Sequence, residues 1–267
     1  MINPKKSLGQ NFIRDEKIIA KIIQAADLKP DNFVIEIGPG NGILTEELSK
    51  AAGKVLAIEI DKSLISALQK KFSQNKKVEI INEDILKINL SQLATNYQLP
   101  TTNYKVVANI PYYITSPIIR LFLETETPPQ EMILMVQKEV AERIVAKPGK
   151  MSILALSVQY YAMAQVLFPV PAKAFFPVPK VDSAVIKIVP SQQSSVHSQG
   201  EAKEFFRVVR AGFSAKRKTL ANNLANSFHL DKKTIENKLN SLGLTPLTRA
   251  QELSLKDWKK LTESLQI

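Results

Sequence analysis

The 267-residue chain contains no cysteine and only two histidines, His197 and His229. Without thiols it can form no disulfide, no thiolate metal site and no cysteine nucleophile, a composition that a reducing cytoplasm tolerates. Two histidines are too few for a His-based metal cluster, so chemistry without a bound metal is expected. Long apolar runs are missing as well: no stretch reaches the roughly 18 residues of a membrane-spanning helix. Met1-Ile2-Asn3-Pro4-Lys5-Lys6 leads into polar sequence rather than an apolar signal segment. The expectation is a soluble, cytoplasmic protein without a membrane partner.

Acidic residues are the minority. Thirty-six Lys and Arg face 25 Asp and Glu, a net charge of +11 and a pI near 9.6. Such a balance suits a polyanionic partner, because phosphate neutralisation supplies most nonspecific nucleic-acid affinity; plain solubility charge is the alternative. The excess is uneven. Residues 201–267 carry 13 basic against 7 acidic side chains, whereas residues 1–190 carry 23 against 18.

Apolar positions Ile18, Ile19, Ile22, Ile23 and Ala26 recur at helical spacing after a basic N-terminal loop. Short β-rich runs follow at 33–37, 55–60, 78–81, 104–108 and 132–136, with amphipathic segments between most of them. This alternation predicts an α/β domain whose mostly parallel sheet is covered by helices on both faces. Two late strand candidates, 164–168 and 183–189, are placed to pair antiparallel. Residues 191–200, without periodicity or charge, read as a linker. Beyond them only helical patterning remains, broken near Ser214, Asp231, Gly243 and Pro246. The expected organisation is therefore a first domain over 1–190 and a small all-α domain over 201–267.

Of the nine glycines, three stand within five residues: Phe33-Val34-Ile35-Glu36-Ile37-Gly38-Pro39-Gly40-Asn41-Gly42 is an apolar strand emptying into a glycine-rich turn ahead of a helix at 44–48. Such a turn lets the backbone approach a nucleotide-type ligand closely. Glu59 closes the next strand, where a carboxylate can accept from ribose hydroxyls; as plain helix-start acids, Glu59 and Asp61 would be the bland alternative. Asp84 closes the third strand and can accept from an adenine amine. Three successive strand ends bearing glycines, Glu and Asp resemble the Rossmann-like class I fold of S-adenosylmethionine-dependent methyltransferases. The G-x-G-x-G spacing departs from the G-x-G-x-x-G of dinucleotide-binding oxidoreductases.

The fourth strand ends in Asn109-Ile110-Pro111-Tyr112. A side-chain carbonyl, a backbone carbonyl beside a Pro-fixed turn and an aromatic face are what an exocyclic amine needs to be oriented while its base is stacked. An isolated copy would read as a turn with a buried tyrosine. In this context the tetrad resembles the (Asn/Asp)-Pro-Pro-Tyr-type motif of N6-adenine methyltransferases, in the form found in ribosomal RNA adenine dimethylases. Lys6-Ser7-Leu8-Gly9-Gln10-Asn11-Phe12-Ile13 is similar to that family's Gly-Gln-Asn-Phe-Leu segment, with Ile13 in place of Leu. Residues 175–185, beginning Phe175-Phe176-Pro177-Val178-Pro179-Lys180-Val181-Asp182-Ser183, resemble its Phe-x-Pro-x-Pro-Lys-Val-Asp-Ser element.

The resemblance runs in order from about residue 5 to the C-terminus. It implies that Asn11, Ile13, Gly38, Glu59, Asp84 and Asn109 contact S-adenosylmethionine, with Gly40 in the same turn. It further implies that Tyr112 and Phe175 sandwich the target adenine beside Asn109 and Pro111, Phe175 being chosen over Phe176 by its spacing to Pro177. Lys216-Arg217-Lys218-Thr219 places cations where a helix dipole disfavours them, which points to phosphate contact rather than a solvated face. It is similar to the family's Arg-Arg-Lys-Thr, with Lys216 replacing an Arg that could bind phosphate bidentately. The implied activity is dimethylation of two adjacent adenosines in a hairpin near the 3′ end of 16S rRNA, the partner being the small ribosomal subunit or its precursor and the enzyme a monomer. The rivals are a large-subunit adenosine methylase, a noncatalytic RNA-binding factor of the same fold and a nicotinamide-dependent oxidoreductase.

Overall fold

A computed structural model describes residues 4–5, 8–100, 103–191 and 199–265. Lys6 and Ser7 of the N-terminal motif, and 192–198 of the expected linker, lie outside the described residues. The element order is β1 (Phe12–Ile13), α1 (Glu16–Ala26), β2 (Phe33–Ile37), α2 (Ile43–Ala51), β3 (Lys54–Glu59), α3 (Lys62–Phe72), β4 (Val78–Asn82), α4 (Leu90–Tyr97), β5 (Tyr104–Asn109), α5 (Thr115–Leu123), β6 (Glu131–Gln137), α6 (Lys138–Ile144), α7 (Ile153–Gln159), β7 (Ala162–Val170), β8 (Phe175–Phe176) and β9 (Ser183–Pro190). Four helices follow: α8 (Gln199–Gly212), α9 (Leu220–Phe228), α10 (Lys232–Ser241) and α11 (Leu255–Leu265).

Seven strands form one sheet in the order β4-β3-β2-β5-β6-β9-β7. The first five run parallel, and β9 pairs antiparallel with both β6 and β7, as the two late strand signals suggest. All five residues of β2 are buried, as a central parallel strand sandwiched between helices requires. Strand β7 at the edge is buried only at its two ends, and it tolerates Pro169 because an edge strand has no second neighbour to receive that N–H. Helix α1 starts on Asp15, whose carboxylate accepts from the Lys17 and Ile18 amides, and stops at Asp27 in the left-handed conformation. Its apolar stripe of Ile18, Ile19 and Ile22 packs with Leu44, Leu48 and the sheet residues Val34, Val107 and Ile133.

The parallel sheet also carries a buried charge network at its amino-terminal edge. Lys105 donates to the Ala26 and Asp27 carbonyls (2.8 and 3.1 Å) and to Glu131 Oε1 (2.9 Å), and Glu131 Oε2 pairs with Lys187. The last carbonyls of α1, which have no partner within the helix, are thereby satisfied by a cation, which also suits the helix dipole.

Two compact units emerge: residues 1–141 with 162–190, and residues 142–161 with 191–267. The sequence analysis leaves segment 142–161 in the first domain. It instead joins the helical unit, where the Gly149 and Met151 amides donate to the Gln251 carbonyl (2.9 and 3.1 Å) and Tyr160 lies 4.5 Å from Phe205, ring to ring. Trp258, fully buried on α11, stacks on Phe213 at 5.6 Å. Among the described residues no helix is long and apolar enough to cross a membrane.

Glu131→Ala would leave the Lys105 ammonium buried without its counter-charge. The expected loss is about 3–5 kcal/mol of unfolding free energy in urea denaturation, the range for breaking a buried pair on one side.

Candidate active site

The carboxyl ends of β2, β3 and β5, together with the loop after β4 and the N-terminal segment, line a cleft. This is where open α/β sheets hold ligands. Its apolar walls include Ile37, Ile58 and Ile85, and its polar groups come from Asn11, Glu59, Asp84 and Asn109.

The glycine turn is fixed from both sides. Gly38 donates to the Ile58 carbonyl (2.9 Å) and Gly40 to Glu59 Oε2 (3.1 Å). Gly40 sits at φ +59°, and a Cβ there would lie 2.7 Å from the Phe12 ring, so both conformation and space demand glycine. Glu59 is 4% exposed, and its other oxygen accepts from the Asp61 amide at 2.8 Å. Burial raises its pKa, with the Asp61 and Gly40 amides opposing that shift. A carboxylate oxygen has more than one lone-pair site, so each retains capacity for a hydroxyl donor. Asp84 caps the turn at Ile85–Lys87 by accepting from the Leu86 amide (3.1 Å), with Oδ2 3.7 Å from Lys87. A cradle of glycine backbone, two carboxylates and apolar walls fits the nucleoside moiety of S-adenosylmethionine.

Asn109 ends β5, and its Nδ2 donates to the Asn11 carbonyl at 2.9 Å. Only the amide nitrogen can face a carbonyl oxygen, so this bond fixes which way the amide points. Oδ1 has no partner among the described residues and remains an acceptor at the cleft. Tyr112, half-buried, shares a hydrogen bond with the fully buried Ser183 hydroxyl at 2.7 Å. Burial pushes its pKa up, against the Ser183 bond, so the phenol stays neutral at ordinary pH. The cleft therefore brings together Asn11, Gly38, Gly40, Glu59, Asp84, Asn109, Pro111 and Tyr112.

Two expected site residues face elsewhere. Ile13 and Phe175 are 4% and 2% exposed and belong to the core cluster with Ile18, Ile22 and Val185. The cause is the short antiparallel pairing of β1 with β8, in which Ile13 opposes Phe175 and Phe12 opposes Phe176. Directly opposed residues point to the same side, so Ile13 and Phe175 face the core while Phe12 and Phe176 share the opposite face, Phe12 on the cleft and Phe176 exposed. The choice of Phe175 as the second half of an aromatic sandwich is thus not met by this arrangement: its ring is packed in the core, and Phe176 is the one exposed, at 42%.

Lys216, Arg217 and Lys218 are all exposed in a turn just before α9, where Thr219 caps the helix. None has a carboxylate partner among the described residues.

Sequence reasoning missed two features. Asp61 caps α3, as a helix-start acid does, but it also binds the N-terminal segment, accepting from Lys5 Nζ (2.6 Å) and Gln10 Nε2 (2.9 Å), which local sequence does not show. Burial alone would raise its pKa, but the hydrogen bonds from Lys5, Ser63 and Gln10 outweigh it and hold the carboxyl well below the usual range. Glu36, in the middle of an apolar strand motif, is 1% exposed; its Oε2 and the nearby Thr45 hydroxyl lack hydrogen-bond partners among the described residues. Burial pushes its pKa up to about 8, with Thr45 offsetting only part of the shift. An acid interrupting an apolar strand was the available signal.

Comparison with known proteins agrees with this geometry. A family model described as ribosomal RNA adenine dimethylase matches residues 1–266. The ribosomal RNA small subunit methyltransferase A of Dehalococcoides mccartyi is 46% identical over 260 residues, covering 97% of this chain and 88% of the relative. That of Geobacillus kaustophilus is 44% identical over 266 residues, covering 98% and 90%. Among solved structures, a dimethyladenosine transferase from Plasmodium falciparum superposes with a TM-score of 0.79 at 28% identity, covering 96% of this chain and 97% of its own. The 23S rRNA methyltransferase ErmE gives 0.75 at 28% identity, covering 96% and 100%.

Because native Glu36 holds its proton up to about pH 8 while an unfolded glutamate releases it near pH 4.5, stability contributed by the neutral acid falls as pH rises through that window. Glu36→Gln should therefore flatten the decline of unfolding free energy between pH 5 and 8, measured by urea denaturation at several pH values.

Proposed function

The chain belongs to the ribosomal RNA adenine dimethylase family, and from that premise we propose how it dimethylates the N6 amines of two adjacent adenosines near the 3′ end of 16S rRNA, with S-adenosylmethionine as methyl donor. Relatives at 40–46% identity bear the small-subunit name, which supports that substrate over a large-subunit one. The observation that carries the mechanism is the Asn109 amide, held through Nδ2 by Asn11 so that Oδ1 is presented to the cleft.

An adenine N6 amine is a weak nucleophile because its lone pair is delocalised into the ring. Asn109 Oδ1 and the Ile110 carbonyl accept its two hydrogens and bias the nitrogen toward pyramidal geometry, turning the lone pair out of the ring plane. Pro111 fixes the turn that joins these acceptors to Tyr112, whose ring, anchored by Ser183, stacks the extruded base. S-adenosylmethionine, when bound, supplies a methyl group on a sulfonium that leaves as a neutral thioether. The new N–C bond forms as the S–C bond breaks, and the nitrogen sheds one proton to solvent. No strong base is required, which agrees with a neutral Tyr112 and an uncharged Asn109.

Glu59 and Asp84 hold the ribose and adenine of the donor, and the glycine turn carries its backbone contacts. The helical unit docks RNA through Lys216, Arg217 and Lys218. Mapping N6-dimethyladenosine in ribosomal RNA from cells lacking the gene tests the reaction: loss of the paired modification in small-subunit RNA is expected, and its persistence would overturn the assignment.

Asn109→Ala should slow single-turnover methylation by on the order of 10² or more, since a preorganised polar group is lost, while RNA affinity is kept. A near-normal rate would refute the mechanism. Neutralising Lys216, Arg217 and Lys218 together should flatten the salt dependence of RNA binding, each lost phosphate contact lowering the slope of log K against log salt by roughly 0.7 to 0.9.

A further inference from the structure

The outward face of the β1–β8 ladder presents a group that the proposed chemistry leaves unused. Phe12 and Phe176 are directly paired, and the Arg14 side chain, two residues beyond Phe12 and so on the same face, lays its guanidinium 3.9 Å from the centre of the Phe176 ring. Phe12 itself lines the cleft and touches the glycine turn. The row Phe12, Phe176, Arg14 therefore leads from inside the cleft out to solvent. Phe176 is 42% exposed, and Arg14 is exposed with no carboxylate partner among the described residues. The Arg14 backbone is pinned, its amide donating to the Ala174 carbonyl at 2.9 Å.

An unpaired guanidinium whose carbon sits 3.9 Å over the centre of an aromatic ring has a defined chemistry. One face is covered by the ring, the opposite face is open to a planar partner, and the edge N–H groups point outward where they can meet phosphate. Charge alone would not explain the stacking, and an apolar staple would not use an arginine. From this geometry we infer that Arg14 and Phe176 form a preordered platform for the RNA nucleotide beside the target adenosine, stacking its base on the guanidinium–ring pair and contacting its phosphate with Arg14. The inference rests on the RNA-adenosine reading of the cleft and adds the residues that hold the flanking nucleotide.

The test compares Arg14→Ala, Arg14→Lys, Phe176→Leu and Phe176→Tyr in the full chain. It measures binding to a fluorescently labelled hairpin RNA carrying two adjacent loop adenosines, alongside steady-state methylation of small-subunit particles and thermal stabilisation by S-adenosylhomocysteine. Arg14→Ala and Phe176→Leu should each weaken hairpin binding and raise the RNA KM by about tenfold, the scale of one lost stacking contact. Stabilisation by S-adenosylhomocysteine and kcat at saturating RNA should be unchanged. Phe176→Tyr should restore binding, whereas Arg14→Lys, which keeps the charge without the plane, should not. Only the Arg14 variant to alanine should also reduce the salt slope, by roughly 0.7 for one single-strand phosphate. Unchanged RNA binding in Arg14→Ala and Phe176→Leu, or full binding by Arg14→Lys, would overturn the platform. Hairpin binding is read without turnover, so wild-type protein that binds RNA but methylates no adenosine would defeat the reaction proposed above and still leave the platform decided.

Discussion

The hydrogen bond from Asn109 Nδ2 to the Asn11 carbonyl joins positions 98 residues apart and fixes which end of the amide the cleft receives. A carboxamide can present either end to a substrate, and the difference between donor and acceptor is decisive for an amine. The Asn11 carbonyl removes that freedom. Its own position depends on the N-terminal segment, which is tied at one end to Asp61 through Lys5 and Gln10 and at the other to β8 through β1. The segment thus contributes less a binding surface than a constraint, and the orientation of one amide is the result.

Much of this was legible in the sequence because its signals are local. The apolar runs of the parallel strands, the glycine turn and the acids at the strand ends each lie within a window of a few residues, and the structure gathers the turn and the acids at one cleft. Even the antiparallel pair late in the domain declared itself, since strands of eight and nine residues carry enough pattern. The β1–β8 ladder did not. Two residues per strand hold no periodicity, yet this ladder decides that Ile13 and Phe175 face the core and Phe176 the solvent. Spacing to Pro177 located the element but could not give its facing, which comes from a partner more than 160 residues away. Segment 142–161 was lost for a related reason: its helical pattern shows an apolar face without showing which helices cover it.

Three acids at one end of the sheet illustrate how little residue type determines. Glu36 is fully buried, and desolvation outweighs the Thr45 hydroxyl beside it, so its proton is retained up to about pH 8. Glu59 is almost as buried, but two backbone amides offset much of its desolvation. Asp61 is bonded by a lysine, a glutamine and a serine, and is held ionised. Glu36, Glu59 and Asp61 are alike in sequence as side-chain acids; the fold makes the first a neutral filler, the second a brace for the glycine turn and the third an anchor for the N-terminal segment.

This division of labour bears on how such a cleft can serve an amine without a base. A methyl transfer that releases its proton after the bond forms asks for orientation and for a dry, shaped pocket, not for a titrating side chain near neutrality. Of the groups beside Asn109 in the cleft, Tyr112 is held neutral by burial and tied to Ser183, while Glu59 braces the glycine turn at the cofactor end. In the proposed mechanism what is directed at the substrate is a fixed amide oxygen, a backbone carbonyl and a ring. On the proposed mechanism the scarcity of cysteine and histidine is no obstacle, since positioned acceptors would accomplish what a nucleophile or base does elsewhere.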